Sequence, residues 1–191
     1  NGMSEVIPVN EINDVQPFFN KENFLIAAER GGEIVEGFKF GNSPLSYVDN
    51  PNIIDEVTDK IGRQCIVIAV DIKKINNDYF VFTHGGRQQT NIKAFDWCIE
   101  CQKRGAGEIL LTSMDRDGTK DGFDIDILSK ISKNINIPVI ASGGAGNLKH
   151  LYEAIEKGKA DAVLAASIFH FGEYTILEAK NYLRDRNIIV R

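Results

Sequence analysis

The chain is poor in the residue types that build cross-linked, metal-bound or membrane-embedded proteins. It has three cysteines, three histidines and five prolines among 191 residues. An odd, low cysteine count excludes a disulfide framework and favours a reducing compartment. No apolar run reaches the roughly 18 residues that span a bilayer, which predicts no membrane segment. The first residues lack the basic and apolar regions of a signal peptide, so we expect a cytoplasmic protein.

An excess of positive charge is also missing. The formal net charge is −5, which argues against nucleic acid as a partner. Hydrophobic residues make up 43% and charged residues 26% of the chain, so disorder is not expected. A chain of this length can bury a sizeable core as one folded unit.

The cysteines and histidines do not predict a metal site. Cys98 and Cys101 form a Cys-x-x-Cys pair, but the segment around them has a helical pattern, and zinc needs two further ligands nearby. His84, His150 and His170 are scattered and have no recognisable partner. We predict packing thiols, structural or exposed histidines, and neither a metal nor another cofactor.

Apolar runs that end in small, acidic or hydroxyl residues are the strongest pattern present. They are Ile66–Val70, Ile109–Leu111, Ile137–Ala141 and Ala162–Ala166. Helices are predicted between and after them at 93–103, 124–133, 147–157 and 174–184, and one before them runs from Asn50-Pro51 through Lys60. This alternation predicts an α/β fold with a parallel sheet. Because a closed eight-stranded barrel takes about 250 residues, the four clear units predict part of one.

The remaining segments are less regular. Short strands at 78–84 and 86–90 are predicted to form a hairpin. Near the amino terminus we expect a strand at Glu5–Val9, a weak helix at Asn10–Phe19, a strand at Phe24–Ala28 and an antiparallel strand at Glu33–Phe40.

A glycine loop follows the third apolar run. Ser142, Gly143, Gly144 and two further small residues open the next helix, and glycines allow backbone N–H groups to approach a phosphate. The same glycines also suit a tight turn with no ligand. Ala166 and Ser167 repeat the strand-to-helix transition one unit later, and barrel phosphate sites commonly use the loops after the last two strands.

Asp71 is the main acid–base candidate. It follows an apolar run directly, so we expect a half-buried carboxylate at the rim with a pKa shifted to suit proton transfer. The alternative is an aspartate that caps a loop. Asp115 and Asp117 begin a pattern that imitates a calcium loop, but Lys120 stands where glycine is needed, which excludes calcium. Asp117 is predicted to orient a substrate hydroxyl, or to be solvated.

Residues 49–191 resemble the cyclase subunit of imidazole glycerol phosphate synthase, a histidine-biosynthesis enzyme. The resemblance rests on Asp49-Asn50-Pro51, Ile66–Asp71, Arg104–Thr119, Ile140–Gly146, Ala165–His170 and Val190-Arg191. That family is a (β/α)8 (TIM) barrel. The resemblance therefore implies an incomplete barrel, a C-terminal half-barrel of units 5 to 8 preceded by helix 4.

The resemblance also implies functional roles. Asp71 matches the catalytic aspartate after strand 5, and Thr112 and Asp117 match substrate-positioning residues. The implied phosphate cradle comprises Gly118, Ser142, Gly143, Gly144, Ala166 and Ser167. The implied substrate is a phosphorylated small molecule, a ribulosyl-formimino bisphosphate, which reacts with ammonia to give imidazole glycerol phosphate. A glutaminase partner is implied to supply that ammonia past Glu108.

Residues 1–48 resemble instead an internal piece of 2-phosphosulfolactate phosphatase, a magnesium-dependent family. The matching residues are Asn1-Gly2, Val6–Val9, Ala27–Gly32 and Phe40–Pro44. This predicts a foreign βαβ fragment at 1–48 joined to a half-barrel at 49–191, with Glu29 and Arg30 as inert scaffold. The cyclase family's other catalytic aspartate has no counterpart in this sequence, so we expect impaired cyclase activity. The alternatives are a phosphatase remnant and a non-catalytic chimeric scaffold that forms a homodimer through open sheet edges.

Overall fold

A computed structural model describes the backbone of residues 25–30, 33–40, 48 and 50–190, and the side chains of 48 and 50–190. The strand predicted at Glu5–Val9 and the helix predicted at Asn10–Phe19 lie outside the described residues. Among the described residues, no helix is long and apolar enough to cross a membrane.

The described strands join in one mixed sheet. They are β1 (Leu25–Arg30), β2 (Glu33–Phe40), β3 (Ile66–Ile75), β4 (Asp78–Thr83), β5 (Gln88–Lys93), β6 (Glu108–Ser113), β7 (Val139–Ser142) and β8 (Ala162–Val163). Their order is β1-β2-β3-β6-β7-β8, and the hairpin of β4 and β5 is attached to β3. The strands from β2 to β8 along this path are parallel, whereas β1 is antiparallel to β2.

Helices connect the parallel strands. They are α1 (Asn52–Ile61), α2 (Ala94–Lys103), α3 (Ile125–Ser132), α4 (Leu148–Glu156), α5 (Ser167–His170) and α6 (Ile176–Arg184). A single 3-10 turn, Arg63–Cys65, leads from α1 into β3. The predicted α/β class and the alternation of strands and helices are confirmed.

Two strands differ most in length from the prediction, and β1, β5 and β7 are each displaced from the predicted bounds by one to three residues. β3 continues past Asp71 to Ile75 because residues Asp71–Ile75 pair with β4 as an antiparallel ladder. Asp71 therefore lies within a strand rather than after one. β8 is only two residues long instead of 162–166, because the chain turns into α5 once the Leu164 N–H has donated to the Ala141 carbonyl (2.8 Å). His170 consequently ends a helix.

The core lies between the sheet and its helices. Alternate residues of β3, from Ile66 to Ile72, join apolar side chains of α1, α2, α3, α4 and α6 in one buried cluster. Cys98 and Cys101 are fully buried in this cluster, which confirms them as packing thiols. Burial raises the pKa of Cys98 to about 12 and raises the pKa of Cys101 as well. The intervening residues of β3, among them Val67 and Asp71, project to the face of the sheet opposite this buried cluster.

Candidate functional site

Three predicted site residues form one row across the parallel strands. Asp71 of β3 pairs in register with Thr112 of β6, which pairs with Ser142 of β7. Directly paired residues project to the same face of a sheet, and all three side chains are half-buried. The row lies at the carboxyl-terminal end of β6 and β7, where the loops to α3 and α4 begin.

The surroundings of Asp71 include a lysine that sequence reasoning missed. Lys73 follows Asp71 by two residues and lies on the same face of β3. Its Nζ is 4.9 Å from the ring centroid of Phe82, the residue that pairs with Asp71 across β3 and β4. The antiparallel extension of β3 that positions Lys73 was not predicted, which is why no signal marked this residue.

A cavity of about 250 Å³ lies next to this row. Its walls come from the loops after β6, β7 and β8. It is lined by seven of the nine predicted site residues: Asp117, Gly118, Ser142, Gly143, Gly144, Ala166 and Ser167. Ser142 belongs both to the cavity wall and to the row, and thereby connects the cavity to Thr112 and Asp71.

Gly143 and Gly144 are required by close backbone packing. Their φ angles are +89° and +108°, in a region that other residues rarely adopt. A Cβ on Gly144 would lie 2.2 Å from the Gly122 carbonyl oxygen, and one on Gly143 would lie 2.6 Å from the Ser113 carbonyl oxygen. The Gly122 N–H donates to the Gly144 carbonyl (2.8 Å), so this loop and the loop after β6 support each other.

The same loops leave backbone donors available at the cavity. Among the described residues, the N–H groups of Gly118, Gly143 and Gly144 have no hydrogen-bond acceptor. A Cβ on Gly118 would meet no atom within 4 Å, so this residue borders open space. Unpaired amides at a glycine-lined cavity are the donor type that binds phosphate oxygens.

The loop after β6 is ordered by its own hydrogen bonds. The Asp117 N–H donates to the Ser113 carbonyl (2.9 Å), and the Thr119 hydroxyl donates to the Arg116 carbonyl (2.8 Å). Asp115 accepts from the Lys74 N–H (2.7 Å), which attaches this loop to β3. Asp115 is therefore an anchor for the β3–β4 hairpin.

A second anchor of the hairpin involves Tyr79. Its hydroxyl donates to Asp124 (2.9 Å), which also accepts from the Ser113 hydroxyl at 3.4 Å. Partial burial and the Asp124 carboxylate raise the pKa of Tyr79 above its ordinary range. This network fixes the position of β4 beside Asp71.

Lys120 borders the cavity, and sequence reasoning did not identify it as a site residue. In the sequence, Lys120 was notable only because it stands where a calcium loop needs glycine. In the structure it lines the cavity, and its Nζ forms an ion pair with Glu173. The pairing spans 53 positions of the chain, so no local pattern signals it.

The histidines lie outside the cavity lining. The ring Nδ1 of His150 accepts a hydrogen bond from the Gly146 N–H (3.1 Å). The backbone N–H of His150 donates to the side chain of Asn147, the N-terminal cap of α4. His84 lies 3.0 Å from the Thr83 hydroxyl, and His170 packs edge-on against Phe171. In the described part of the chain, no group of three or more His, Cys, Asp or Glu side chains is placed to hold a metal ion.

The comparison with known proteins decides the family. A model of the histidine biosynthesis protein family matches residues 42–175. The chain belongs to this family. A second model, 2-phosphosulpholactate phosphatase, matches residues 1–61. Both resemblances inferred from the sequence are thus confirmed, and the two matches overlap at 42–61, where α1 and the predicted join near Val48-Asp49 lie.

Curated relatives agree with the first match. The HisF subunit of imidazole glycerol phosphate synthase from Prosthecochloris aestuarii is 58% identical over 144 residues, which cover 75% of this chain and 57% of the relative. The subunit from Pelodictyon phaeoclathratiforme is 59% identical with the same coverage. The one from Chlorobium limicola is 57% identical over 146 residues, 76% of this chain and 58% of that protein. The chain thus spans somewhat more than half the length of the curated relatives it matches.

Proposed function

We propose that residues 49–191 form the C-terminal half of a cyclase barrel of the imidazole glycerol phosphate synthase type. In this proposal β3, β6, β7 and β8 are barrel strands 5 to 8, and residues 1–48 are a separate fragment that precedes them. The parallel register of these four strands and the helices between them support it. The 58% identity to a HisF subunit gives independent support.

The proposed chemistry divides the site into two parts. The cavity binds a phosphate ester of the ribulosyl-formimino substrate through the amides of Gly118, Gly143 and Gly144. Asp71 acts as the general acid–base group on the part of the substrate that lies over the sheet, and Thr112 and Asp117 position it. The observation that carries this proposal is that the Asp71 row and the amide-lined cavity share Ser142 and one edge of the sheet.

Phosphate binding is tested most directly on the 191-residue chain. Inorganic phosphate and glycerol phosphate are titrated while the backbone amide resonances of Gly118, Gly143 and Gly144 are followed by NMR. Saturable shifts at these glycines are expected. Ala166→Asp should abolish binding because it adds a carboxylate to the cavity wall without glycine strain, whereas the matched neutral variant Ala166→Asn should retain it. Equal binding by both variants, or shifts elsewhere only, would contradict the proposal.

Catalysis requires a second group that this sequence does not contain. General acid–base catalysis by a positioned group contributes about 10²- to 10⁴-fold, so we expect this chain alone to turn over the bisphosphate substrate with ammonia very slowly. Replacing residues 1–48 with the first half of a curated relative should restore turnover, and Asp71→Asn should then remove it. Turnover that persists in the Asp71→Asn graft would exclude the assigned role.

A glutaminase partner is proposed to bind at the amino-terminal ends of the parallel strands, opposite to the cavity. Glu108 is half-buried at the amino-terminal start of β6 and pairs in register with Val67. Val67 and Asp71 are four residue steps apart along the extended strand, which is about 13 Å. Ammonia released at the Glu108 edge would thus reach Asp71 along the face between them. Co-purification with a HisH-type glutaminase, weakened by Glu108→Gln, is the expected result.

Self-association is a second candidate property, and exposed apolar side chains favour it. The side chains of Phe171, Leu177 and Ile176 are 72%, 64% and 53% exposed. Phe171 directly follows α5, and the other two are the first residues of α6. Within the described residues no strand pairs with the outer edge of β8. Light scattering should show a homodimer that Phe171→Asp disrupts, and a strict monomer would exclude it.

A magnesium-dependent phosphatase is the remaining candidate, favoured by the match of residues 1–61. The side chains of residues 48 and 50–190 include no group placed to hold a metal ion, so the metal site of such an activity would have to draw on residues of the 1–47 segment. Hydrolysis of small phosphoesters with and without Mg²⁺ decides between this candidate and the cyclase proposal.

A further inference from the structure

The cavity has one cationic side chain among its described lining residues, and that cation already has a partner. Lys120 lines the wall formed by the loop after β6, and its Nζ is paired with the carboxylate of Glu173. Glu173 does not line the cavity. It lies just after α5 and two residues before Thr175, the cap of α6. The ion pair thus reaches from the cavity wall to the segment between α5 and α6.

The backbone of Lys120 packs closely on Gly146, whereas its side chain is partly exposed. Its φ is +62°, and its carbonyl oxygen packs so closely on Gly146 that a Cβ there would lie 2.1 Å away. The Lys120 side chain is 43% exposed and the Glu173 side chain 38% exposed. Because Lys120 lines the cavity and its side chain is partly exposed, rotation about its side-chain bonds is the route by which Nζ would change partner.

The electrostatics favour such a change of partner when a dianion enters. Exposed ion pairs gain little from their attraction, because water screens them and two long side chains must be held in one geometry. A phosphate in the cavity carries up to two charges and accepts strong charge-assisted hydrogen bonds. A lysine, with its flexible stem and three donors, is suited to exchange a single carboxylate for that ligand.

We propose that Lys120 is a phosphate-binding residue that Glu173 holds in the ligand-free protein and releases to the bound phosphate. This inference rests on the phosphate site proposed above and extends it to a specificity-determining cation. Glu173 then acts as an internal competitor, which sets how tightly the cavity binds a phosphate. The two residues must therefore have opposite effects on affinity.

The test is a phosphate titration at low salt of four versions of the 191-residue chain. Inorganic phosphate is the probe, and the amide shifts of Gly143 and Gly144 give the dissociation constant. Lys120→Gln should weaken binding about tenfold, because a charge-assisted contact is lost. Lys120→Arg should remain within about threefold of the unaltered protein. Glu173→Gln should tighten binding about threefold, because the competing carboxylate is gone. The effect of Lys120→Gln should shrink at high salt.

A comparable ion pair outside the cavity supplies the control. Glu153 of α4 and Lys157, the residue that follows this helix, are paired at 2.8 Å, and neither lines the cavity. Lys157→Gln and Glu153→Gln change the net charge by the same amounts and should leave phosphate affinity within about twofold of the unaltered protein.

The outcomes separate the two proposals. If the unaltered chain shows no saturable shifts at the glycines, the phosphate site and the role of Lys120 both fail. If it binds phosphate but Lys120→Gln binds equally well, or Glu173→Gln binds more weakly, only the role of Lys120 fails. The expected gain of affinity in Glu173→Gln cannot result from misfolding, so it distinguishes exchange from a purely structural ion pair.

Discussion

The two faces of the parallel sheet differ in composition and in cover. On one face, Ile66, Ile68 and Val70 of β3 are completely buried against the helices. On the other, Val67 and Asp71 of the same strand are only half-buried, and the neighbouring positions carry Thr112 and Ser142. Apolar burial is therefore most extensive on the helix-covered face, whereas the opposite face combines the buried Ala69 and Leu110 with the polar groups available for chemistry. Substitutions on the two faces should accordingly have different consequences.

The largest expected difference comes from two valines of β3. Val70→Ala removes two methyl groups from the helix-covered core and should lower the free energy of unfolding by about 2–3 kcal/mol. Val67→Ala makes the same chemical change on the half-buried face and should cost about 1 kcal/mol or less. Urea denaturation of both variants measures the difference. Equal losses would show that both faces are covered to the same extent.

A smaller effect is expected from adjacent residues of β6. Ser113 is buried on the core face and donates to Asp124, so Ser113→Val should cost about 1–2 kcal/mol through the lost hydrogen bond. Thr112→Val is nearly isosteric on the half-buried face and should change stability by less than about 1 kcal/mol. Thr112 does not line the cavity, so phosphate shifts at Gly143 should persist in Thr112→Val. Loss of those shifts would mean that the row and the cavity are not separable.

The smallest effect is a loss of stability at alkaline pH from the core thiols. Burial raises the pKa of Cys98 to about 12 from an ordinary value of 9.0. The unfolded chain therefore releases this proton at a lower pH than the folded chain does. The stability that the neutral, buried Cys98 thiol contributes is fully present below about pH 9. It is lost as the pH rises from there towards about 12. At pH 10 the loss is about 1 kcal/mol.

Urea denaturation at pH 8 and pH 10 tests this expectation. The unaltered chain should lose more stability between the two values than Cys98→Ala does. Cys98→Ala lowers stability at both values through the cavity it leaves, so the dependence on pH is the quantity to compare. Identical pH dependence in the two proteins would show that folding does not raise the pKa of the Cys98 thiol.

Sequence reasoning located the parts of the fold that depend on local apolar patterns. The runs at Ile66, Ile109 and Ile137 became parallel strands because each is a short apolar segment bounded by turn residues. Gly143 and Gly144 were found because their conformation can be inferred from residue type. The parallel order of the strands followed from the helices between them.

The features that were missed depend on partners distant in the chain. Lys73-Lys74-Ile75 has no clear strand pattern, and it becomes part of β3 only because β4 pairs with it. β8 ends early because the turn into α5 competes with continued pairing to β7. Lys120 and Glu173 meet only when the loop after β6 and the segment between α5 and α6 are brought together. Such contacts are set by tertiary structure, which a local pattern does not encode.

The pairing of β2 with β3 joins two segments that match different families. β2 lies in the stretch matched by the phosphatase family and β3 in the stretch matched by the histidine biosynthesis family, yet Phe38, Lys39 and Phe40 align with Ile66, Val67 and Ile68 as one ladder. Main-chain amides and carbonyls are the same in every residue except proline, so a bare strand accepts a neighbour of any ancestry that has suitable length and direction. Segments that match two different families can thus share one sheet through main-chain pairing alone.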